Sequence, residues 1–212
     1  MTTEGGGTAT FTVRLSRSTN QAVTFNFATS NGTANFKPGE LVSFFETAGA
    51  RFGPHVNAYT SFDETVYMLQ IPTDSTEIVE TAFDVLEDWA AYATLDPVEV
   101  DKERGVIESE RRERDQNYQG RLREKTLPVL LHDSRYRDRL PIGTTEVIQN
   151  IPAEAVRAFY ERWYRPERMA VVAVGDFDVD RMEALIREHF SNLPDRGPLP
   201  ERPAVAVPGP EE

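Results

Sequence analysis

The period of the apolar positions changes several times along this chain, and each change marks an element. From Ala9 to Leu15 apolar and polar residues alternate, and the alternation returns in Val23-Thr24-Phe25-Asn26-Phe27. A period of two lines up one face of a strand, so residues 9–28 are predicted to form a β-hairpin. Pro38 can open a helix running to about Ala48, with Gly49 suited to stop it. Residues 55–61 and 65–71 read as extended. Behind a cap-like pair, Asp74 and Glu77, the positions Ile78, Val79, Ala82, Phe83, Val85, Leu86, Trp89 and Ala90 recur at helical spacing. Asp96-Pro97-Val98-Glu99 is another helix start, with an N-cap, a first-turn proline and an acidic third position; this helix should end before Pro128. Residues 133–150 read as loop, Pro152 to about Tyr164 as helix and Met169–Val174 as a buried strand. Asp178 caps a last helix through Phe190. Strands mixed with long helices give an α+β fold, a largely antiparallel sheet with helices packed on one face and an N-terminal β-hairpin.

Composition narrows the possible partners. The 212 residues carry a formal charge of −12, which argues against nucleic acid and anionic membrane, since both select cationic surfaces. Arg111, Arg112, Arg114, Arg121, Arg123 and Lys125 cluster, but Glu113, Asp115 and Glu124 interleave with them, the pattern of an exposed, ion-paired helix face. With no cysteine there is no disulfide, thiolate zinc site or thiol nucleophile. No apolar run reaches the ~18 residues that span a bilayer, and the first residues lack the basic and apolar regions of a signal peptide. Localisation stays open. Proline recurs from Pro194 onward, at 198, 200, 203, 208 and 210, as in a linker.

Candidate chemistry centres on Glu103 and Glu110. Seven residues apart on the predicted helix, they project from one face beside Val100 and Ile107. Such a pair can wall a metal site or form a solvated rim. The three histidines, His55, His132 and His189, are not spaced as paired ligands on a helix. His55 directly precedes the Asn57–Thr60 strand, whereas His132 and His189 read as surface or helix-end residues.

Several longer motifs bear on that choice. Phe36-Lys37-Pro38-Gly39-Glu40 leads to Ala48-Gly49-Ala50-Arg51-Phe52-Gly53, then to Asn57-Ala58-Tyr59-Thr60-Ser61-Phe62. Glu103-Arg104-Gly105 runs to Glu110, followed by Leu140-Pro141-Ile142-Gly143, Trp163-Tyr164-Arg165-Pro166 and Ala173-Val174-Gly175-Asp176. Over roughly residues 31–195 the chain resembles the pitrilysin/insulinase family of zinc metallopeptidases, whose HxxEH helix reverses the usual zincin motif. The resemblance implies that Glu110 is a zinc ligand and Glu103 a carboxylate beside it that tunes the site. It also implies that Asn57, Ala58, Tyr59 and Thr60 form an edge strand that pairs with an extended peptide substrate. A second half-domain or partner subunit would complete the enzyme.

In the family, HxxEH stands just ahead of an Asn-Gly-Thr element. Counting back from Asn31-Gly32-Thr33, its two histidine positions fall on Val23 and Phe27 and its general base on Asn26. Valine and phenylalanine have no lone pair for a metal, and the Asn26 amide cannot accept a proton at neutral pH. Zinc is therefore expected of the family but not of this chain, and no catalytic residue is assigned. Residues 4–34 instead resemble a piece of a Calx-β repeat. The expected organisation is a Calx-β-like hairpin over 1–35, a truncated peptidase domain over 36–195 and a proline-rich tail over 196–212. Two functions compete: a metalloendopeptidase domain inactive as written, or a non-catalytic subunit that binds peptides or a partner through the Asn57–Thr60 edge.

Overall fold

A computed structural model of the chain describes residues 8–16, 35–37, 39–201 and 204–206. Four strands, β1 (Thr8–Ser16), β2 (Val56–Thr60), β3 (Glu64–Pro72) and β4 (Met169–Gly175), form one sheet in the order β2-β3-β1-β4. Every neighbouring pair is antiparallel. Seven α-helices accompany it among the described residues: α1 (Glu40–Thr47), α2 (Thr76–Glu87), α3 (Pro97–Gln116), α4 (Tyr118–Leu130), α5 (Thr145–Asn150), α6 (Ala153–Trp163) and α7 (Val179–Phe190). This is the expected α+β class.

The predicted hairpin partner of residues 9–15, Val23–Phe27, lies outside the described residues. Within them, β1 has both edges occupied. Phe11 stands opposite Leu69 of β3 on one side and Ala173 of β4 on the other. Bonded on both edges, β1 is an interior strand of the sheet. The period-two reading of residues 9–15 located a strand, but its partners are distant in sequence.

The main core lies between β3 and the helices. On β3, Tyr67, Leu69 and Ile71 alternate onto one face and pack with Leu41 and Phe45 of α1, Phe83 and Leu86 of α2, and Tyr160 of α6. A smaller cluster joins α3 to α5 and α6 through Val100, Ile107, Ile148, Ile151 and Val156. Strand β4 differs from the buried strand expected. It is an outer strand among those described, its Met169, Val171 and Ala173 packing on the core while Val172 and Val174 are 48% and 66% exposed. A continuous apolar run does not reveal on its own whether one face of a strand meets solvent.

Helix starts follow the sequence signals closely, with three corrections. The cap of α2 is Ser75, whose hydroxyl accepts from the Ile78 N–H at 3.4 Å, rather than Asp74. Asp96 caps α3 as expected, accepting from the Val98 N–H at 2.8 Å, but the predicted single helix breaks at Asn117. Asn117 is extended (φ −77°, ψ 135°) and its side chain caps α4, accepting from the Gln119 N–H at 2.9 Å. The break depends on Gly120, where a Cβ would stand 2.1 Å from the Arg114 carbonyl oxygen. Helix α4 continues past Pro128 to Leu130. The expected loop over 133–150 contains α5, whose cap Thr144 accepts from the Val147 N–H at 3.2 Å.

Two tethers place α3. Between α2 and α3, Leu95 is fully buried with a left-handed backbone (φ 49°), a conformation that costs a non-glycine residue about 1 kcal/mol. Arg157 of α6 holds that turn by donating to the carbonyls of Thr94 (2.6 Å) and Leu95 (3.1 Å). Residues 196–200 of the proline-rich segment lie against the core. Arg196 donates to the Ala91 carbonyl at 2.6 Å, Arg165 to those of Gly197 and Pro198, and Arg168 to that of Pro200.

Candidate metal and peptide site

Strand β2 is at the end of the sheet opposite β4 and pairs only with β3 among the described strands. The expected edge strand is therefore present at Asn57–Thr60. Its hydrogen-bonding parity follows from two contacts with the β3 segment. Ser61 N–H donates to the Glu64 carbonyl and Gln70 N–H to the His55 carbonyl, both at 2.8 Å. In an antiparallel pair bonded positions alternate, so Asn57 and Tyr59 face β3 while Ala58 and Thr60 face outward. The outward groups of Val56 are already taken, its N–H by the Arg51 carbonyl and its carbonyl by the Gly53 N–H. Ala58 N–H is shielded by the Asn57 side chain, whose Oδ1 accepts at 2.8 Å. Among the described residues, what stays open at the edge is the Thr60 N–H and the carbonyls of Ala58 and Thr60.

The tip of this hairpin is fixed from outside. Tyr136 donates its hydroxyl to Asp63 (2.8 and 2.9 Å to the two oxygens) and its ring lies 4.9 Å from that of Phe62. Beside the tip, Thr60 and Ser61 open into a cavity of about 570 Å³, walled by the end of α3, the start of α4 and Leu140–Gly143. Arg111, Arg114 and Arg123 reach it alongside Asp115 and Glu124. Arg111 is fixed by donating to the Gly143 carbonyl at 2.5 Å.

On α3 the two acidic residues differ sharply. Glu103 is buried, 6% exposed, and among the described residues its carboxylate accepts no hydrogen bond and meets no cation. Burial pushes its carboxyl above the ordinary range, and the Glu99 carboxylate adds to the effect. Next to it, Arg104 donates to the carbonyls of Ile148 and Ile151, both at 2.5 Å, closing the end of α5 against α3. Glu110 is partly exposed and bound to Arg114 of its own helix at 2.5 Å. It joins no group of three metal-capable side chains among the described residues; the one such group comprises Asp84, Glu87 and His189, on α2 and α7.

The described donors at Glu110 therefore do not fit zinc, which needs three protein ligands and an open position. Val23, Asn26 and Phe27, the positions aligned with HxxEH, lie outside the described residues. His55 is committed elsewhere, its Nδ1 accepting from the Arg51 N–H at 3.1 Å, and His132 is exposed beside Asp133. Sequence reading had missed Arg104, Tyr136 and the α2–α7 acidic–histidine group. Each acts between segments distant in sequence, and only Arg104 stood inside a recognised motif.

A four-stranded antiparallel sheet, helices on its core face, an open edge at β2 and an acidic α3 define a metallopeptidase half-domain architecture. Residues 26–142 match Insulinase (Peptidase family M16), and residues 150–212 match the Peptidase M16 inactive domain. The chain belongs to the insulinase family, peptidase family M16. It is 39% identical to the probable zinc protease PqqL of Escherichia coli over 77% of this chain and 18% of that protein. It is 37% identical to the zinc protease PQQL-like of Arabidopsis thaliana over 86% of this chain and 19% of that one. The solved first half of the periplasmic protease PqqL from Escherichia coli superposes with a TM-score of 0.83 at 31% identity, covering 95% of this chain and 44% of that one. The chain thus spans about a fifth of the length of these two relatives. No helix among the described residues is long and apolar enough to cross a membrane.

Proposed function

We propose that this chain is the peptide-gripping part of an M16 zinc-endopeptidase scaffold that, as written, cannot hold the catalytic zinc. The observation that carries the reading is the open edge of β2 at a cavity that Arg114 also lines, the arginine that engages the zinc-ligand position Glu110. Ala58 and Thr60 offer backbone groups to an extended peptide, and the cavity next to Thr60 offers room for one of its side chains. Glu110 is the single family ligand retained, with Glu103 buried behind it. With Val23, Asn26 and Phe27 at the motif positions, the chain supplies neither the imidazoles nor the base that hydrolysis requires. Export to the periplasm, as in the relative from Escherichia coli, fits this reading.

Magnitudes argue for a second surface. If Asn57 releases the Ala58 N–H, the edge can make four main-chain hydrogen bonds, each contributing about 1 kcal/mol net. The total, about 4 kcal/mol, corresponds to a dissociation constant near ~1 mM before ordering losses are counted. Tight capture therefore needs more contacts, such as those of a second half-domain closing over the peptide. The Calx-β-like stretch has no separate part in this account, because its described piece, β1, is built into the peptidase sheet.

The experiment is a titration of a fluorescent, extended peptide into the chain, with mass spectrometry of the peptide afterwards. Weak binding without cleavage is expected. Ala58→Pro should abolish it while leaving the β2–β3 ladder intact, since proline is tolerated where the N–H faces away from the sheet. Cleavage that EDTA stops would overturn the inactive assignment, and binding unaffected by Ala58→Pro would move the peptide site elsewhere.

A further inference from the structure

Helices α2 and α7 meet far along the chain from Glu110, and their polar seam carries an arrangement that the peptidase reading leaves unused. Asp84 and Glu87 stand three residues apart on α2, so both project from one face. His189, in the last turn of α7, reaches across. Its Nδ1 lies 2.8 Å from Glu87 Oε2 and 3.8 Å from Asp84 Oδ1. One ligand atom from each of the three residues lies within 4.8 Å of the others.

We infer that Asp84, Glu87 and His189 form a binding site for a zinc-class divalent cation that clamps α7 onto α2. Three features support it. First, the spacing suits the ion. Zinc bonds oxygen and nitrogen at about 2.0–2.2 Å, which sets tetrahedral donors ~3.4 Å apart. The 2.8 Å separation, a hydrogen bond here, and the 3.8 Å one bracket that value, so a shift of about half an ångström in each brings His189 to that spacing from both carboxylates. Second, the imidazole is oriented. His189 stacks on Phe83 with centroids 5.4 Å apart and planes inclined by 29°, holding Nδ1 toward the carboxylates. Third, the enclosure is graded. The side chain of His189 is 14% exposed and that of Glu87 23%, whereas Asp84 is 48% exposed, leaving the open coordination position on the solvent side for water.

A nitrogen donor beside two carboxylates selects zinc, cobalt or nickel over magnesium or calcium, which prefer all-oxygen sets. The clamp would join the span matching the peptidase family to the span matching its inactive domain, next to the Arg181–Glu80 pair at 3.4 Å.

Equilibrium dialysis of the 212-residue chain against zinc, with cobalt as a spectroscopic probe, tests the site. About one zinc per chain is expected, unchanged in Glu110→Gln. His189→Gln and Glu87→Gln should each weaken it by at least ~10–100-fold and abolish the visible cobalt bands. Circular dichroism identifies any variant that fails to fold, and Asp84→Asn, at the more exposed ligand, then serves in its place. Absence of bound zinc would overturn the inference, as would binding insensitive to the His189 and Glu87 variants. Zinc lost in Glu110→Gln alone would also overturn it, and would separately refute the reading of Glu110 as an incapable ligand.

Discussion

Glu103→Gln should make this protein more stable at neutral pH. The carboxyl is 6% exposed, and among the described residues no donor or cation compensates its charge. Burial raises its folded-state pKa, with Glu99 as a second cause. The sign follows by linkage. A carboxyl whose pKa is higher folded than unfolded supports the fold while protonated, below the unfolded value, and that support is lost as pH rises through the folded value. At pH 7 the wild type therefore holds an unfavourable charge, or a proton bound at a cost. Glutamine keeps the shape and removes the charge. The carboxylate oxygens keep some contact with water, so the charge costs a fraction of the ~1–3 kcal/mol of a fully buried one, and the expected gain is about 1 kcal/mol. For a chain of this size that is a melting shift of roughly 2–4 °C. Urea denaturation of both proteins at pH 7, and again near pH 4 where both side chains are largely neutral, gives the comparison. The gain should appear at pH 7 and shrink in acid. A loss of stability at pH 7 would refute the reasoning, because it would mean that a cation compensates Glu103. A stabilising substitution at this position would also mark Glu103 as a residue kept at the expense of stability, as functional groups often are.

Three further outcomes follow from the geometry. Gly120→Ala should cost about 1–3 kcal/mol in urea denaturation, because its Cβ meets the Arg114 backbone at 2.1 Å and the α3–α4 break cannot tighten to admit it. Arg104→Ala should lose about 2–3 kcal/mol by the same assay, and Arg104→Lys should fail to restore it, since one ammonium does not reproduce a planar fork across the Ile148 and Ile151 carbonyls. Tyr67 and Tyr164 share a buried hydrogen bond of 2.6 Å, and burial pushes Tyr67 up to about 12 and Tyr164 well above the ordinary range. Ultraviolet titration should find both silent at about pH 11, where a free tyrosine has ionised, and stability should fall as pH rises from about 10 through that raised value.

Much of this architecture is legible in the residues themselves. Asp96-Pro97 announces α3 because a cap and a first-turn proline act within four residues. Asp178 announces α7 by its cap alone, accepting from the Arg181 N–H. The outer position of β2 followed from family resemblance, not from its own pattern, since an Asn-Ala-Tyr-Thr run looks alike at an edge or in a sheet interior. What escaped sequence reading was non-local. The partners of β1 are separated from it by more than forty residues, so alternation could locate the strand but not pair it. The break at Asn117 depends on how closely Gly120 approaches Arg114, a packing fact that no breaker residue at position 117 advertises. Helix α5 carried a readable cap at Thr144 but is too short for its period to show. At the site, Glu103 and Glu110 were correctly placed on one helix. Their different fates, one buried alone and one bound to Arg114, depend on the helices and loops packed around them.

The account rests on which backbone groups of β2 are free, and amide NMR of the chain with and without an extended peptide reads this directly. The Ala58 and Thr60 amides should shift and gain exchange protection on binding, while Asn57 and Tyr59, already bonded toward β3, stay nearly unchanged. Protection appearing at Asn57 and Tyr59 instead, or no change anywhere along β2, would contradict it.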